Sequence, residues 1–225
     1  MSDSTTTVQT DRHAHAHPPG LQHHFTNMTQ QFEAAKLGMW LFLVTEVLLF
    51  GGLFVGYGIM HSKHPEAFVA AHHHLDWRLG ALNTIVLLLS SFTMVMGVWA
   101  AQTGQRKKLI AFLLLTVFLA LVFMGVKYVE YSHKFHEGLL PGKFYSHQGD
   151  TVPGQFMFFS FYFMMTGLHG IHVLLGIVAI LWITFRAWRG HFSAQYYGPV
   201  DITGLYWHLV DLIWIYLFPL MYLIS

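Results

Sequence analysis

The chain contains 225 residues, of which 54% are hydrophobic and only 10% are charged. Since an ordinary soluble domain carries about 25% charged residues, this composition excludes a protein that is surrounded by water on all sides. The sequence has no cysteine, which excludes disulfides, thiolate nucleophiles and cysteine-ligated metal sites. The formal net charge of +1 gives no reason to expect a nucleic-acid partner.

Residues 1–36 form a polar segment that is rich in histidine and contains the stretch HAHAHPPG. This segment lacks the apolar core of a signal peptide, so the first membrane-spanning helix is expected to direct insertion itself. We expect a flexible tail, because the histidines show no regular spacing that would define a site. Weak binding of transition metals by their neutral imidazoles is the alternative.

Five apolar runs follow the tail, and each is long enough to cross a membrane as a helix, which takes about 20 residues. The short alternating segments of a membrane β-barrel do not occur in the sequence. The sequence therefore predicts an all-α, polytopic membrane protein in which residues 37–225 form a bundle of five transmembrane helices. The predicted spans are residues 37–60, 79–101, 109–131, 155–185 and 203–224.

The cationic residues outside the spans predict the orientation of the bundle, because cytoplasmic loops carry an excess of lysine and arginine. The N-terminal side has seven: Arg12, Lys36, Arg106, Lys107, Lys108, Arg186 and Arg189. The opposite side has four: Lys63, Arg78, Lys134 and Lys143. We therefore expect the N-terminus in the cytoplasm and, after five spans, the C-terminus in the periplasm.

The spans also contain polar residues, and an ionisable residue at mid-helix costs about 2.5–3.5 kcal/mol on insertion scales. Such residues are candidates for function. Glu46 lies near the middle of the first span, and the fourth span contains TGLHGIHV, with two histidines three positions apart. We expect the polar residues to face the bundle interior and pair there, with Glu46 hydrogen-bonded to a histidine of the fourth span. The predicted buried polar network comprises Glu46, Asn83, Lys127, Glu130, His169, His172, His208 and Asp211.

The buried histidines allow three interpretations: hydrogen bonds that fasten helices together, proton conduction, and metal binding. His169 and His172 are expected one turn apart on one face of one helix, so they cannot clamp a haem from both sides. A non-haem site would need His169, His172, His208 and Asp211 to converge, and a proton path would need titratable groups that reach both surfaces. The sequence favours interhelical hydrogen bonds, and we predict neither a catalytic residue nor a metal ligand in this chain.

Arg186 and Arg189 follow the fourth span at the level of the predicted cytoplasmic headgroups. Their simplest role is to set the topology through the excess of positive charge on that side. Contact with anionic lipid headgroups is the more specific alternative, so both residues are candidates for lipid binding.

Five segments carry a family resemblance: GMWLFLVTEVLLFGG, LNTIVLLLSS, KYVEY, TGLHGIHVLLGI and YWHLVDLIWIYLFPLMYL. In their order along the chain they resemble subunit III of haem–copper respiratory oxidases, and the resemblance covers nearly all of residues 36–224. Members of that family have seven or five transmembrane helices. This chain resembles the five-helix bacterial form, which lacks the two N-terminal helices that border a lipid-filled cleft in the longer form.

The resemblance implies a subunit that holds no redox cofactor, with haems and copper in the partner subunits that reduce oxygen and pump protons. It implies direct packing against subunit I, a complex with subunit II and a further candidate partner in subunit IV, structural phospholipids, and a bacterial inner (plasma) membrane. Motif positions of the family correspond to Glu46, Glu130, His169, His172, Arg186, His208 and Asp211.

The function that the resemblance implies is that of an accessory subunit III of a proton-pumping terminal oxidase in aerobic respiration, which stabilises the catalytic subunit and supports proton uptake. The chain itself is expected to carry no active site, although the complex is an enzyme. The alternatives are an accessory subunit of a nitric oxide reductase and a free-standing membrane redox protein that binds haem or metal. Cytochrome c and quinol both stay open as the electron donor of the complex.

Overall fold

The computed structural model describes residues 25–140 and 154–223, so most of the histidine-rich tail, residues 1–24, lies outside the described residues. Within the described ranges the chain forms six α-helices: α1 (Met28–Lys63), α2 (Pro65–His72), α3 (Trp77–Gln102), α4 (Arg106–His136), α5 (Gln155–Trp188) and α6 (Gly198–Tyr222). Five of them, all except α2, are long and apolar enough to cross a membrane. The predicted all-α fold with five transmembrane helices is therefore confirmed, while the orientation of the termini stays a prediction.

Helix α1 begins nine residues before the predicted span, at Met28. The added turns read MTQQFEAAK and consist largely of residues with high helix propensity, such as Gln, Glu, Ala and Lys. The side chain of Asn27 caps the helix by accepting a hydrogen bond from the backbone N–H of Gln30 at 2.7 Å, which satisfies one free donor of the first turn. Helix α1 thus extends beyond the predicted span into the last part of the segment that was predicted as a tail.

Helix α2 was not predicted from the sequence. The prediction rested on apolar runs that are long enough to cross a membrane, and α2 has only eight residues. It starts with Pro65, whose missing N–H costs nothing at the first helical position. It buries Ala67, Phe68 and Ala71, and the ring of Phe68 packs edge-on against Phe158 of α5, with 5.6 Å between centroids. Helix α2 therefore covers the first turn of α5, on the side of the bundle where α1 ends.

Helices α3, α4, α5 and α6 surround a common core, and α1 lies at its edge. Two tryptophans of α6, Trp207 and Trp214, are fully buried in this core. Helix α1 packs mainly against α2, α5 and α6 and buries just Leu43, Phe50 and Tyr57 among its described residues. The rest of its apolar surface faces outward, which suits contact with lipid or with another protein helix.

Glycine at position 176 allows α5 and α6 to approach closely. A Cβ atom at Gly176 would lie 2.7 Å from ring atoms of Trp207. The indole cannot easily move away, because it is fully buried and its Nε1–H donates to Ser90 Oγ of α3 at 3.1 Å. Small residues at helix contacts are typical of membrane bundles, and here one glycine sets the distance between two helices.

We therefore expect Gly176→Val to lower the free energy of unfolding of the purified full-length chain in detergent by about 1–3 kcal/mol, the usual cost of overpacking a core. Gly170→Val is the matched control on the same helix, since a Cβ atom there meets nothing within 4 Å. Unfolding by heat or by denaturing detergent, followed by helical circular dichroism, measures both variants. Equal stability of the two variants would contradict the proposed close contact.

Candidate functional site: a buried polar network

A closed cluster of four polar side chains joins α4, α5 and α6. The ammonium group of Lys127 donates hydrogen bonds to Glu130 Oε2 and to the hydroxyl of Tyr222, both at 2.9 Å. A third, longer bond of 3.3 Å reaches the hydroxyl of Tyr162. Both tyrosine hydroxyls in turn donate to Glu130 Oε1, at 2.8 Å from Tyr162 and 2.5 Å from Tyr222. All three protons of the lysine and both carboxylate oxygens are thereby engaged within the chain.

Aromatic rings surround the same lysine and complete its environment. The Lys127 nitrogen lies between 5.0 and 5.5 Å from the ring centroids of Tyr131, Tyr162, Trp214 and Tyr222. A cation at this distance is attracted to the ring face, by about 2 kcal/mol or more where water is excluded. The cluster therefore compensates the cost of burying both charges with five hydrogen bonds, one of which is the ion pair itself, and with ring contacts.

A second ionisable pair joins α1 to α5. His172 Nε2 lies 2.8 Å from Glu46 Oε2, which is the predicted hydrogen bond between Glu46 and a histidine of the fourth span. His172 Nδ1 lies 2.8 Å from the carbonyl oxygen of Leu168, and since a carbonyl can only accept, Nδ1 carries a proton. A neutral imidazole then presents an acceptor at Nε2. A proton consequently occupies the Nε2–Oε2 contact, either on a neutral Glu46 or on a charged His172.

His169 and His172 lie one turn apart on α5, but their rings meet different helices. His169 is fully buried and packs against Phe123 of α4 and Trp214 of α6, with centroid distances of 5.6 and 5.3 Å. Neither of its ring nitrogens has a hydrogen-bond partner among the described residues. Residues three apart differ by about 60° around a helix, which is enough to turn His172 toward α1 and His169 into the core.

The predicted pairing also fails for part of α6. His208 Nδ1 lies 2.7 Å from the hydroxyl oxygen of Ser91 on α3, so its partner is a hydroxyl rather than another ionisable group. Asp211 is only 2% exposed, and neither of its carboxyl oxygens accepts a hydrogen bond from a described residue, although the hydroxyls of Ser90 and Ser91 are adjacent. The buried amide of Asn83 is unpaired in the same way.

The two arginines after α5 lie on aromatic rings. The guanidinium of Arg186 lies 4.9 Å from the ring centroid of Trp182, and that of Arg189 lies 4.3 Å from the ring centroid of Phe185. Neither forms a salt bridge with a described carboxylate. A stacked guanidinium keeps its N–H edges available for bidentate contact with an anion, so a role in binding headgroups stays a prediction.

Sequence reasoning missed several members of the network. Tyr162 and Tyr222 gave no signal, because a tyrosine in an apolar helix usually fills space or lies at the membrane interface. Lys134 was counted only as a loop cation, yet its ammonium donates to the carbonyl of His74 and lies 3.4 Å from Glu137. Arg106 donates from Nε to the carbonyl of Ala187 at 2.8 Å, which ties the start of α4 to the end of α5.

The structure thus brings together Lys127 with Glu130 and Glu46 with His172, and it leaves Asn83, His169 and Asp211 separately buried. Within residues 25–140 and 154–223, no three histidine, aspartate or glutamate side chains are grouped as ligands for a metal ion. The arrangement is suited to holding helices together and to retaining protons at defined positions.

Comparisons with known proteins show which proteins the chain is similar to. The family model described as cytochrome c oxidase subunit III matches residues 19–225. The chain is 31% identical to cytochrome c oxidase subunit 3 of Thermostichus vulcanus, over 95% of this chain and 92% of that protein. It is 30% identical to the probable quinol oxidase subunit 3 of Staphylococcus saprophyticus, over 84% of this chain and 89% of that protein.

The Lys127 cluster leads to a prediction about stability. Lys127→Met removes the cation but leaves Glu130 buried, so we expect the free energy of unfolding of the full-length chain in detergent to fall by about 3–5 kcal/mol. Adding Glu130→Gln, which removes the charge but still accepts from both tyrosines, should restore part of that loss. Glu130→Gln is also measured alone. A loss in the double variant equal to the sum of the losses in Lys127→Met and Glu130→Gln would contradict a coupling between Lys127 and Glu130.

Lys36→Met serves as the control for this experiment, because Lys36 also pairs with a carboxylate but at a much more exposed site. Its ammonium lies 3.5 Å from Asp201 Oδ2, and the lysine side chain is 42% exposed. Exposed pairs contribute about 0–1 kcal/mol, so this variant should remain close to the parent chain in stability.

Proposed function

Because the chain belongs to the cytochrome c oxidase subunit III family, we propose that it is the non-catalytic accessory subunit of a proton-pumping haem–copper terminal oxidase in aerobic respiration. In this role it packs against subunit I and stabilises it, binds structural phospholipids and supports proton uptake. Subunit II belongs to the same complex, and subunit IV is a further candidate. The haems and copper are held by the partner subunits, and the complex resides in a bacterial inner membrane.

The observation that carries the proposal is that the polar atoms of Lys127 and Glu130 are all hydrogen-bonded within the chain. Lys127 and Glu130 bond to each other and to the hydroxyls of Tyr162 and Tyr222. A catalytic group needs a free atom that points toward a substrate, whereas these atoms point toward neighbouring helices. The cluster therefore supports a subunit that holds its own helices rigidly and offers a firm surface to a partner.

Helix α1 supports the proposed packing within a larger complex. Its outward face carries large apolar side chains, among them Leu41, Leu48 and Val55, and Gly52 and Gly58 leave open space beside them. In a membrane, a helix with small residues on its face allows another helix to approach closely. This face can accept either a helix of another subunit or lipid acyl chains.

The Glu46–His172 bond provides the test of the accessory role, since it fastens the exposed helix α1 to the core. In a strain that lacks the chain, we expect the oxidase to be isolated in lower yield and to lose activity faster during turnover. Restoring the parent chain or Glu46→Gln should restore both properties, because a glutamine amide can donate to a neutral Nε2. Glu46→Leu cannot, and the lost interhelical bond should weaken the association of α1 with α5 by about 0.6–2 kcal/mol.

The measurements are the ratio of this chain to haem in the purified complex and the rate of oxygen consumption. Complete loss of oxygen reduction in a Glu46→Gln complex of normal composition would contradict an accessory role. A complex that reduces nitric oxide but not oxygen would instead support the alternative assignment to a nitric oxide reductase.

Bound phospholipid is the second prediction of this proposal. Replacing Arg186 and Arg189 together with alanine should lower the amount of anionic phospholipid that co-purifies with the complex, because each arginine can hold a phosphate through two N–H groups. Lys107→Ala with Lys108→Ala removes the same charge at the same end of the bundle and should leave the lipid content nearly unchanged. Lipid extraction with mass spectrometry decides, and equal losses in both double variants would contradict a specific site.

A further inference from the structure

A pocket lies at the end of the bundle where α1 and α6 begin. It has a volume of about 250 Å³, close to the lower limit of about 300 Å³ for sites that bind small molecules. One wall is the first part of α1 and contributes Met28, Phe32 and Ala35, whose spacing of four and three positions places them on one face of the helix. The opposite wall is formed by residues of the segment 195–202, where the turn before α6 leads into that helix. The part of α1 that extends beyond the predicted span thus has a partner surface.

Hydrogen bonds and ring contacts hold the two walls in place. Ser193 and Tyr196 exchange two backbone hydrogen bonds, at 3.0 and 3.3 Å, and the hydroxyl oxygen of Ser193 accepts a further bond from the N–H of Tyr196 at 3.2 Å. The ring centroids of Phe32 and Tyr197 lie 5.9 Å apart. Gly198 allows this contact, because a Cβ atom there would lie 3.0 Å from Phe32 Cδ2. The walls are therefore fixed against each other, as in the largely pre-formed sites of small ligands.

The polarity of the lining changes along the pocket. Ala35 and Ile202 are apolar and lie within two residues of the predicted spans, which begin at residues 37 and 203. Thr29 and Gln195 lie eight residues before the spans and supply a hydroxyl and an amide. Eight helical residues rise about 12 Å, and the interfacial layer on each side of a bilayer is roughly 5–8 Å thick. An amphiphile whose tail lies in the membrane can therefore enter at the apolar end and place its head group at the polar end.

The described residues that line the pocket carry no charged side chain. They are apolar, aromatic, amide or hydroxyl residues, together with one glycine. Lys36, which follows Ala35, has its ammonium 3.5 Å from Asp201 Oδ2 and 5.2 Å from the ring centroid of Phe32, so its charge is partly compensated. Phosphate groups are bound most strongly by cationic donors. The lining therefore favours an uncharged head group over a phosphate.

We propose that this pocket binds an uncharged ring head group that carries hydroxyl or carbonyl oxygens, on an amphiphile whose apolar tail lies in the membrane. The ring packs against the aromatic side chains of the lining. Amide and hydroxyl groups both donate and accept hydrogen bonds, so the polar end can bind either kind of oxygen. Two classes of membrane component share this chemistry, namely quinones with their quinols and neutral glycolipids. The chain binds the molecule and changes none of its bonds.

Photolabelling of the complex, purified through a tag on this chain, tests the site with three photoreactive probes. The probes are a quinone with a short isoprenoid tail, a neutral monoglycosyl diacylglycerol and the charged phosphatidylglycerol. We expect the quinone or the glycolipid to label peptides that contain residues 28–35 or 195–202, and the probe that does so identifies the class of ligand. The inference is overturned if neither neutral probe labels these peptides, or if phosphatidylglycerol labels them in the same yield.

Variants of α1 show whether the label comes from the pocket. Ala35→Trp fills the lining with a large side chain at an exposed position and should lower the labelling roughly tenfold. Ala34→Trp is the matched control, since Ala34 is the neighbouring exposed alanine and does not line the pocket, and it should be labelled like the parent chain. Phe32→Leu keeps an apolar side chain but removes the ring, so the apparent affinity should fall roughly two- to tenfold. Equal labelling of the two tryptophan variants would also overturn the inference.

The ratio of haem to chain in the same preparations separates this inference from the proposed accessory function. Normal haem content together with absent labelling contradicts the pocket and leaves the accessory function intact. If no haem co-purifies, the accessory function fails instead. The full-length chain in lipid nanodiscs is then labelled with the same three probes, and the same outcomes support or overturn the binding site.

Discussion

The fold depends on how one buried lysine is satisfied. In hydrocarbon, Lys127 has no water to bind, so its charge can persist only where the protein supplies a counter-charge and hydrogen-bond acceptors. Glu130 supplies the charge from the same helix, and Tyr162 and Tyr222 supply hydroxyls from α5 and α6. These partners can meet only if the three helices adopt one rotation and one depth. The cluster therefore specifies the arrangement of α4, α5 and α6, which hydrophobic packing alone specifies weakly between apolar helices in lipid.

The other polar contacts follow from that arrangement. Trp214, which borders the lysine, also packs on His169 and donates its indole N–H to Thr84 of α3 at 3.1 Å, so the fourth helix of the core is connected to the same centre. Helix α1 takes no part in the Lys127 cluster and is joined to the core by the bond between Glu46 and His172 of α5 and by the pair of Lys36 with Asp201 of α6. It is also the least buried of the five long helices in the described part of the chain.

Much of this could be predicted from the sequence, because the cost of polar groups in lipid makes them conspicuous. The five spans, the pairing of Glu46 with a histidine of the fourth span, and the burial of Lys127, Glu130 and Asp211 all follow from apolar length and from the scarcity of charge. The rotation of each helix does not follow, since it is fixed by neighbours that are distant in sequence. His169 and His172 consequently turned to different helices, and Tyr162 and Tyr222 emerged as partners only in three dimensions. The short helix α2 was missed because its buried face is only three residues wide.

We propose that the partner subunits hold the haems and copper, while the buried polar groups of this chain hold its helices together. The most direct test is to purify the complex through a tag on this chain, separate the subunits in mild detergent and record the visible absorption of each fraction. We predict that haem co-purifies with the chain and then stays with the other subunits. A stoichiometric Soret band on the separated chain, retained by the parent and lost in His169→Ala or His208→Ala, would contradict it.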